Sequence, residues 1–343
     1  VPHGIPHASS TLIMFRALLL HSTNGEVTPQ LDTMTTDDLP PGDTHVRVLY
    51  SSINYKDALA VTNSAPIIRG DFPIAPGIDL VGEVVSSESE AWEAGDRVIG
   101  TGWGLGEDVW GGYTEEVRVR ADQLVALPEG LSPHQAMTIG TAGFTAMLSV
   151  MALEDHGLTP ESGEVVVTGA SGGAGSMAVA LLAQAGYTAV ASTGSEGAHA
   201  YLDTLGAARI VHRDAFSDGP KRPMESGQWA GAIDAVGGNT LATLIAQLKR
   251  HASVASFGNA AGHELHTTVL PFILRGVNLL GIDSNTCPND RRRTAWARLD
   301  ALLTDDLLER MTYQVVNLDD VPEAAQDVLS GTSRGRIVVE VQG

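Results

Sequence analysis

Cysteine is almost missing from this chain: Cys287 is the single one in 343 residues. One thiol excludes an internal disulfide and any zinc site built from several cysteines. Aromatic residues are scarce at 5%, too few for the stacking platforms of single-stranded nucleic-acid binders. Bases are outnumbered, 21 against 41 acids, for a formal net charge of −20. Such a surface repels phosphate backbones and anionic lipid, which excludes nucleic acid and membrane as partners. No apolar run approaches the roughly 18 residues that span a bilayer. The opening VPHGIPHASSTLI lacks the basic and apolar regions of a signal peptide. Residues 1–13 read as a leader or tag-like extension, Met14 as a native start, and the cytoplasm as the location.

What is present is enough for two domains. Hydrophobic residues make up 43% and charged residues 18%, which supports a sizeable core and excludes disorder. From RALLL (16–20) through HVRVLYSSI (45–53) to GGYTEEVRV, short strands alternate with Pro and Gly turns, as in a small β barrel-like unit. The texture changes at Ser132-Pro133, an N-cap followed by proline at the first helical position. The stretch to His156 is long and apolar enough for one broken helix or two buried ones. Strands and helices then alternate, EVVVTGA, SMAVALLAQAG, YTAVAST, ARIVHR, WAGAIDAVG, ASVASFGNA and GVNLLGIDS, the pattern of a doubly wound parallel sheet in an α/β fold. The tail, with MTYQVVN, VPEAAQDVLSG and GRIVVEVQ, is expected to return to the first unit. The domains are therefore 14–136 with 304–343, and 137–303.

The strongest chemical signal is VVVTGASGGAGSMAVALLAQAG (165–186). A buried strand feeds Ser171-Gly172-Gly173-Ala174-Gly175, and a helix starts at once. This relaxed dinucleotide fingerprint lets backbone approach a pyrophosphate at the positive helix N-terminus. An NAD site needs an acid at the tip of the second strand to hold the ribose 2′-hydroxyl. Thr193-Gly194-Ser195 stand there instead, leaving room for a 2′-phosphate, and Arg213 can supply its charge. NADPH is the expected cofactor.

Two further segments, Asn54-Tyr55-Lys56-Asp57 and Pro76–Val84, lie about twenty residues apart. With the order of β unit, fingerprint and returning tail, they resemble the medium-chain dehydrogenase/reductase superfamily. Where zinc alcohol dehydrogenases carry Cys-His and Gly-His-Glu segments, this chain has Asn54-Tyr55 and Ile78-Asp79, so no soft or nitrogen ligand set remains for zinc and no metal is expected. INYKDAL, IIRGDFPIAPGID, TGWGLGEDVWGGYTE, IGTAGFTAMLSVMALE and LPFILRGVNLLGIDS resemble acryloyl-CoA reductases of the AcuI/YhdH type over nearly the whole chain from Met14. The resemblance implies a GroES-like β-rich catalytic domain, a Rossmann cofactor domain, and reduction of acryloyl-CoA to propionyl-CoA by NADPH. Relatives often carry Ser-Gly-Arg at 193–195. The missing arginine puts more weight on Arg213.

The residues themselves suggest roles. Hydride transfer to the β-carbon of an enoyl thioester builds enolate charge, and the α-carbon then needs a proton. Tyr55 is a suitable donor, directly or through water, or a wall beside the nicotinamide. Asn54 can orient substrate or nicotinamide. Lys56 can ease the proton's departure or hold an anionic substrate, and Asp57 can fix the first helical turn. The resemblance implies further cofactor contacts at Tyr55, Thr141, Gly258, Asn259, Ile273, Ser284 and Arg336. Anionic CoA calls for cations at the cleft, with Arg69 and Arg275 as candidates. The run Arg291–Arg293 reads either as another or as a solvated helix face. Relatives are often dimers joined at sheet edges, and ASVASFGNA or GVNLLGIDS can supply one. A quinone or enal/enone reductase on the same scaffold, and an NADPH-binding protein with little turnover, stand as the alternatives.

Overall fold

The computed structural model describes residues 14–342; the extension expected at 1–13 lies outside the described residues. The chain opens with a hairpin, β1 (Met14–Thr23) and β2 (Glu26–Thr35). Asn24 and Gly25 make its two-residue turn with φ of 54° and 85°, the Asn-Gly pair such turns require. β2 is not apparent from the sequence pattern, because EVTPQLDTMT is polar and holds a proline. Asn24-Gly25 was the available signal.

β3 (Thr44–Ile53), β4 (Asp79–Ser87), β5 (Arg97–Thr101), β6 (Glu116–Val119) and β7 (Leu124–Ala126) follow. After the parallel sheet of the second half, described next, the tail returns as β14 (Thr312–Asn317) and β15 (Arg336–Glu340). The sheet order is β14-β15-β3-β4-β5-β7, with β6 also on β3. β15 lies between β14 and β3, so the C-terminal segment is an interior strand of the N-terminal sheet.

The second half is β8 (Glu164–Val167), β9 (Thr188–Thr193), β10 (Arg209–His212), β11 (Trp229–Asp234), β12 (Leu248–Ser256) and β13 (Asn278–Gly281). All pairs are parallel and the order is β10-β9-β8-β11-β12-β13. Chain direction across the sheet reverses between β8 and β11, and a crevice opens at the carboxyl ends of such a switch point. Every residue of β11 is buried, as a sheet covered on both faces demands.

Helix α2 (Pro133–Asp155) lies between the two sheets. Ser132 caps it, accepting from the Gln135 amide at 3.2 Å while Gln135 accepts from the Ser132 amide at 2.8 Å, a reciprocal capping box. It breaks at Gly140 (φ 50°, ψ −160°). By length and composition α2 could cross a membrane, contrary to the expectation that no apolar run was long enough, but 89% of its apolar window is buried inside the protein. Its side chains join Val81, Ile99 and Val338 of the mixed sheet to Val165 and Ala189 of the parallel sheet in one apolar cluster.

The helix Asn289–Leu302 corrects a second expectation. Arg291 and Arg293 lie on its surface, paired with Asp155 and Asp290. Arg292, between them, is fully buried.

Candidate active site

At the carboxyl end of β8 the chain turns through Gly169–Gly172 into helix α3 (Gly173–Gln184). Gly175 packs so closely on the Gly169 carbonyl that a Cβ would collide with it. The N-cap is Gly172, and no side chain caps the helix. Its leading N–H groups therefore keep their donors for a ligand. Ser171, Gly172, Gly173 and Ala174 form one wall of a cleft of about 460 Å³. Asn54, Tyr55, Lys56 and Ile78 stand across it, and Thr141, Phe257, Ile282 and Ser284 complete it.

Below lies a buried polar cluster. Asp79 is fully buried. It accepts from the Ser52 hydroxyl at 2.6 Å, the Asn54 amide side chain at 2.8 Å, and the backbone and hydroxyl of Thr141 at 2.9 and 2.5 Å. The break at Gly140 frees the Thr141 amide for this bond, so Asp79 caps the second half of α2 from another element. A Cβ at Gly140 would strike the Asp79 carboxylate. Arg336, 3% exposed, donates to Ser52 Oγ at 2.7 Å, Asn54 Oδ1 at 3.1 Å and the Thr138 carbonyl at 3.0 Å, and lies 3.7 Å from Asp79. Asp57 accepts from the backbone amides of Asn54 and Ile78, both at 2.9 Å. Burial, reinforced by the Asp79 charge, pushes the Asp57 carboxyl up to about 7. Burial also lowers the Arg336 guanidinium from its ordinary value, against the pull of Asp79 and Asp57. Tyr113, whose hydroxyl donates to the Ser52 carbonyl at 3.1 Å, is raised by burial.

This geometry sorts the expected residues. Asn54 has its side-chain oxygen on Arg336 and its nitrogen on Asp79 and Asp57. It is the N-cap of helix α1 (Tyr55–Val61) and places the next residue rather than reaching out. Tyr55 is 55% exposed at the cleft. Lys56 donates to Glu107 at 2.7 Å, and Glu107, almost buried, also takes Arg69 at 2.9 Å. Arg69 is further paired with Asp108 at 2.7 Å and does not line the cleft. Nor does Arg275, whose guanidinium serves the carbonyls of Ala246, Leu248 and Glu225. Ile273 is 68% exposed on the helix Leu270–Arg275, away from the cleft. Thr141 and Ser284 line it. Gly258 and Asn259 form the turn after β12, where a Cβ on Gly258 would strike the Ala235 carbonyl.

At the tip of β9, the Thr193 hydroxyl donates to Ser171 Oγ at 3.2 Å and accepts from the Ser195 amide at 3.1 Å. The Arg213 side chain lies over Gly194, where a Cβ would come within 2.5 Å of its Nε. Asp214 pairs with His212 at 3.2 Å, not with Arg213. The sequence reading gave no role to Ser52, Glu107, Phe257, Ile282 or Gly335. For Asp79 the signal was an acid between apolar neighbours in PGIDLVGEVV; the others carried none. Among the described residues no three His, Cys, Asp or Glu side chains stand close enough to share a metal ion.

Residues 40–129 match the alcohol dehydrogenase GroES-like domain family and residues 173–301 the zinc-binding dehydrogenase family. Over 330 residues, 96% of this chain and 99% of the relative, the sequence is 49% identical to the acrylyl-CoA reductase AcuI of Ruegeria pomeroyi. The crystal structure of the yhdH oxidoreductase from Salmonella enterica in complex with NADP superposes with a TM-score of 0.92 at 49% identity, covering 95% of this chain and all of that one. That of Bacillus subtilis yhfP with NAD bound gives 0.93 at 44% identity, covering 96% and 100%.

Proposed function

Since this chain belongs to the medium-chain dehydrogenase/reductase superfamily, in its AcuI/YhdH branch, we propose that it reduces the double bond of acryloyl-CoA to propionyl-CoA with NADPH. One observation carries the reading. The uncapped amino end of α3 faces Tyr55 and Lys56 across a single cleft, so a dinucleotide on the turn would present its ring to an acceptor held by α1.

When bound, NADPH supplies the hydride. The Ser171–Gly175 turn fits the cofactor, with its close backbone and free amides receiving the pyrophosphate. Arg213, with Thr193 and Ser195, takes the 2′-phosphate. Asn54 and Asp57 hold the first turn of α1, so Tyr55 stands where it can donate its hydroxyl proton to the α-carbon or a hydrogen bond to the thioester oxygen. Lys56, steadied by Glu107, brings positive charge to the same wall. Gly258-Asn259 shape the edge of the crevice.

The test is NADPH oxidation with acryloyl-CoA, crotonyl-CoA and a benzoquinone. Acryloyl-CoA should have the highest kcat/KM. A faster quinone reaction transfers the assignment to a quinone reductase, and no turnover with any acceptor refutes the enzyme reading. Tyr55→Phe should lower kcat by about 10²-fold with NADPH affinity kept; wild-type turnover removes the proton-donor role. We further assign 14–136 with 304–343 to the catalytic unit and 137–303 to the cofactor unit, in a cytoplasmic homodimer. β13 is an edge strand, and its own Leu279 is exposed, as are Val269, Ile273 and Leu274 in the segment before it, which suits pairing across a two-fold axis. A monomer in sedimentation equilibrium would refute the dimer.

A further inference from the structure

Arg292 is a buried cation without a carboxylate. It is 0% exposed, and no acid among the described residues lies within ion-pair distance. Asp283, whose charge acts on it from beyond that distance, is held by the Asn285 and Thr286 amides at 2.8 and 3.1 Å. A lone guanidinium out of water is strongly disfavoured unless dipoles replace the solvent. Here they do. Nη1 donates to the carbonyl and hydroxyl of Thr101 at 2.6 and 2.8 Å, and Nη2 to the carbonyls of Ser284, Asn285 and Cys287 at 3.3 to 3.4 Å. The rings of Phe144 and Trp103 flank it, with centroids at 4.7 and 5.3 Å, within cation–π range. Burial pushes its pKa down to about 10, so it stays charged at neutral pH.

These partners come from both halves of the molecule. Thr101 ends β5 in the mixed sheet and leads into the loop that carries Glu107, the acceptor for Lys56. Ser284 follows β13 of the parallel sheet and, with Ile282, forms a further wall of the cleft. Phe144 adjoins Thr145, another lining residue. The lips also bond directly: the amides of Trp103 and Gly104 donate to the Asn285 carbonyl and side-chain oxygen at 2.9 and 3.1 Å. Trp103 sits at φ 56°, a region bulky residues avoid unless their surroundings enforce it.

We propose that Arg292 is a positioning residue for the reduction: from behind the cleft it fixes the gap between the Lys56–Glu107 wall and the Ile282–Ser284 wall. The inference rests on the activity proposed above only for its kinetic readout. A planar fork with five donors spans acceptors on both sides, whereas a lysine, with a single charged nitrogen, reaches one side at a time. A misplacement of about 1 Å at such a joint is worth about 10²-fold in rate.

In Arg292→Ala, kcat/KM for acryloyl-CoA should fall by about 10²-fold, mostly in kcat, with Arg292→Lys between it and the wild type. Millimolar guanidinium should restore turnover in Arg292→Ala and leave the wild type unchanged, which general destabilisation would not produce. Wild-type kcat/KM in Arg292→Ala, or a loss that guanidinium does not reverse, overturns the proposal. Should Arg292→Ala fail to fold, Arg292→Lys decides: wild-type turnover there overturns it. Spin labels at Val109→Cys and Asp218→Cys, both exposed, read the gap without any acceptor. A broader distance distribution in Arg292→Ala than in the wild-type background supports the latch, and identical distributions refute it even if acryloyl-CoA is not the substrate.

Discussion

Arg336 and Arg292 are both buried where the two sheets meet, and they are stabilised in opposite ways. Arg336 lies under the cleft with two carboxylates, Asp79 at 3.7 Å and Asp57 beyond the shared Asn54. Arg292 lies behind the cleft with carbonyls, a hydroxyl and two rings. With both acids ionised, the first cluster holds one negative charge too many, and that excess adds to burial in pushing Asp57 up to about 7. The second holds a single charge with no carboxylate within ion-pair distance among the described residues, only the more remote Asp283 acting on it. Counter-charge makes a cluster sensitive to protons, whereas dipoles make a joint indifferent to them.

Removing a counter-charge is the harshest test of this contrast. Asp79→Ala leaves Arg336 buried without the one carboxylate within ion-pair distance and the second half of α2 uncapped. Unfolding free energy should fall by about 3–5 kcal/mol, read by denaturant titration; a fall below 1 kcal/mol would mean that Arg336 is as well served by neutral acceptors as Arg292 is. The next test is pH. A carboxyl whose folded pKa is raised from 3.8 to about 7 binds its proton more tightly when folded. Its contribution is complete below about pH 4 and is lost as pH rises through about 7. Asp57→Asn should remove that slope, on the order of a few kcal/mol; equal slopes in the two proteins would refute the raised Asp57 carboxyl. The smallest effect is expected at a solvated arginine. Arg213→Ala should weaken NADPH about tenfold, about 1.4 kcal/mol, and spare NADH. Equal losses for both would remove its 2′-phosphate role.

How much of this could be read in the sequence follows from the range of each interaction. The parallel sheet was legible because each βα unit is a local pattern, and its strand order follows from that fold class. The break in α2 was legible as one broken helix or two, since Gly140 interrupts an apolar run. The fingerprint and the Asn54–Asp57 turn were legible as motifs. What escaped was decided by distant partners. Arg292 sits in a run of three arginines and looks solvated; only the packing of Thr101 and Phe144 against it shows otherwise. Arg69 and Arg275 carry the charge a CoA site needs, but Glu107, Asp108 and three backbone carbonyls hold them first. Arg336 was expected to face the cofactor or brace the tail. Its bonds run to Ser52, Asn54 and Thr138, which brace the tail, and it also lines the cleft beside Gly173.

The interior place of β15 also bears on the order in which this protein is made. Arg336 is 282 residues downstream of Asn54, and such a contact forms late because the intervening chain must first be ordered. A nascent chain that has reached only the loop before β15 holds the glycine turn at 171–175, the residues of the joint around Arg292 and both aspartates, yet lacks the cation those aspartates surround. The floor of the cleft is thus among the last parts of the molecule to be completed during synthesis.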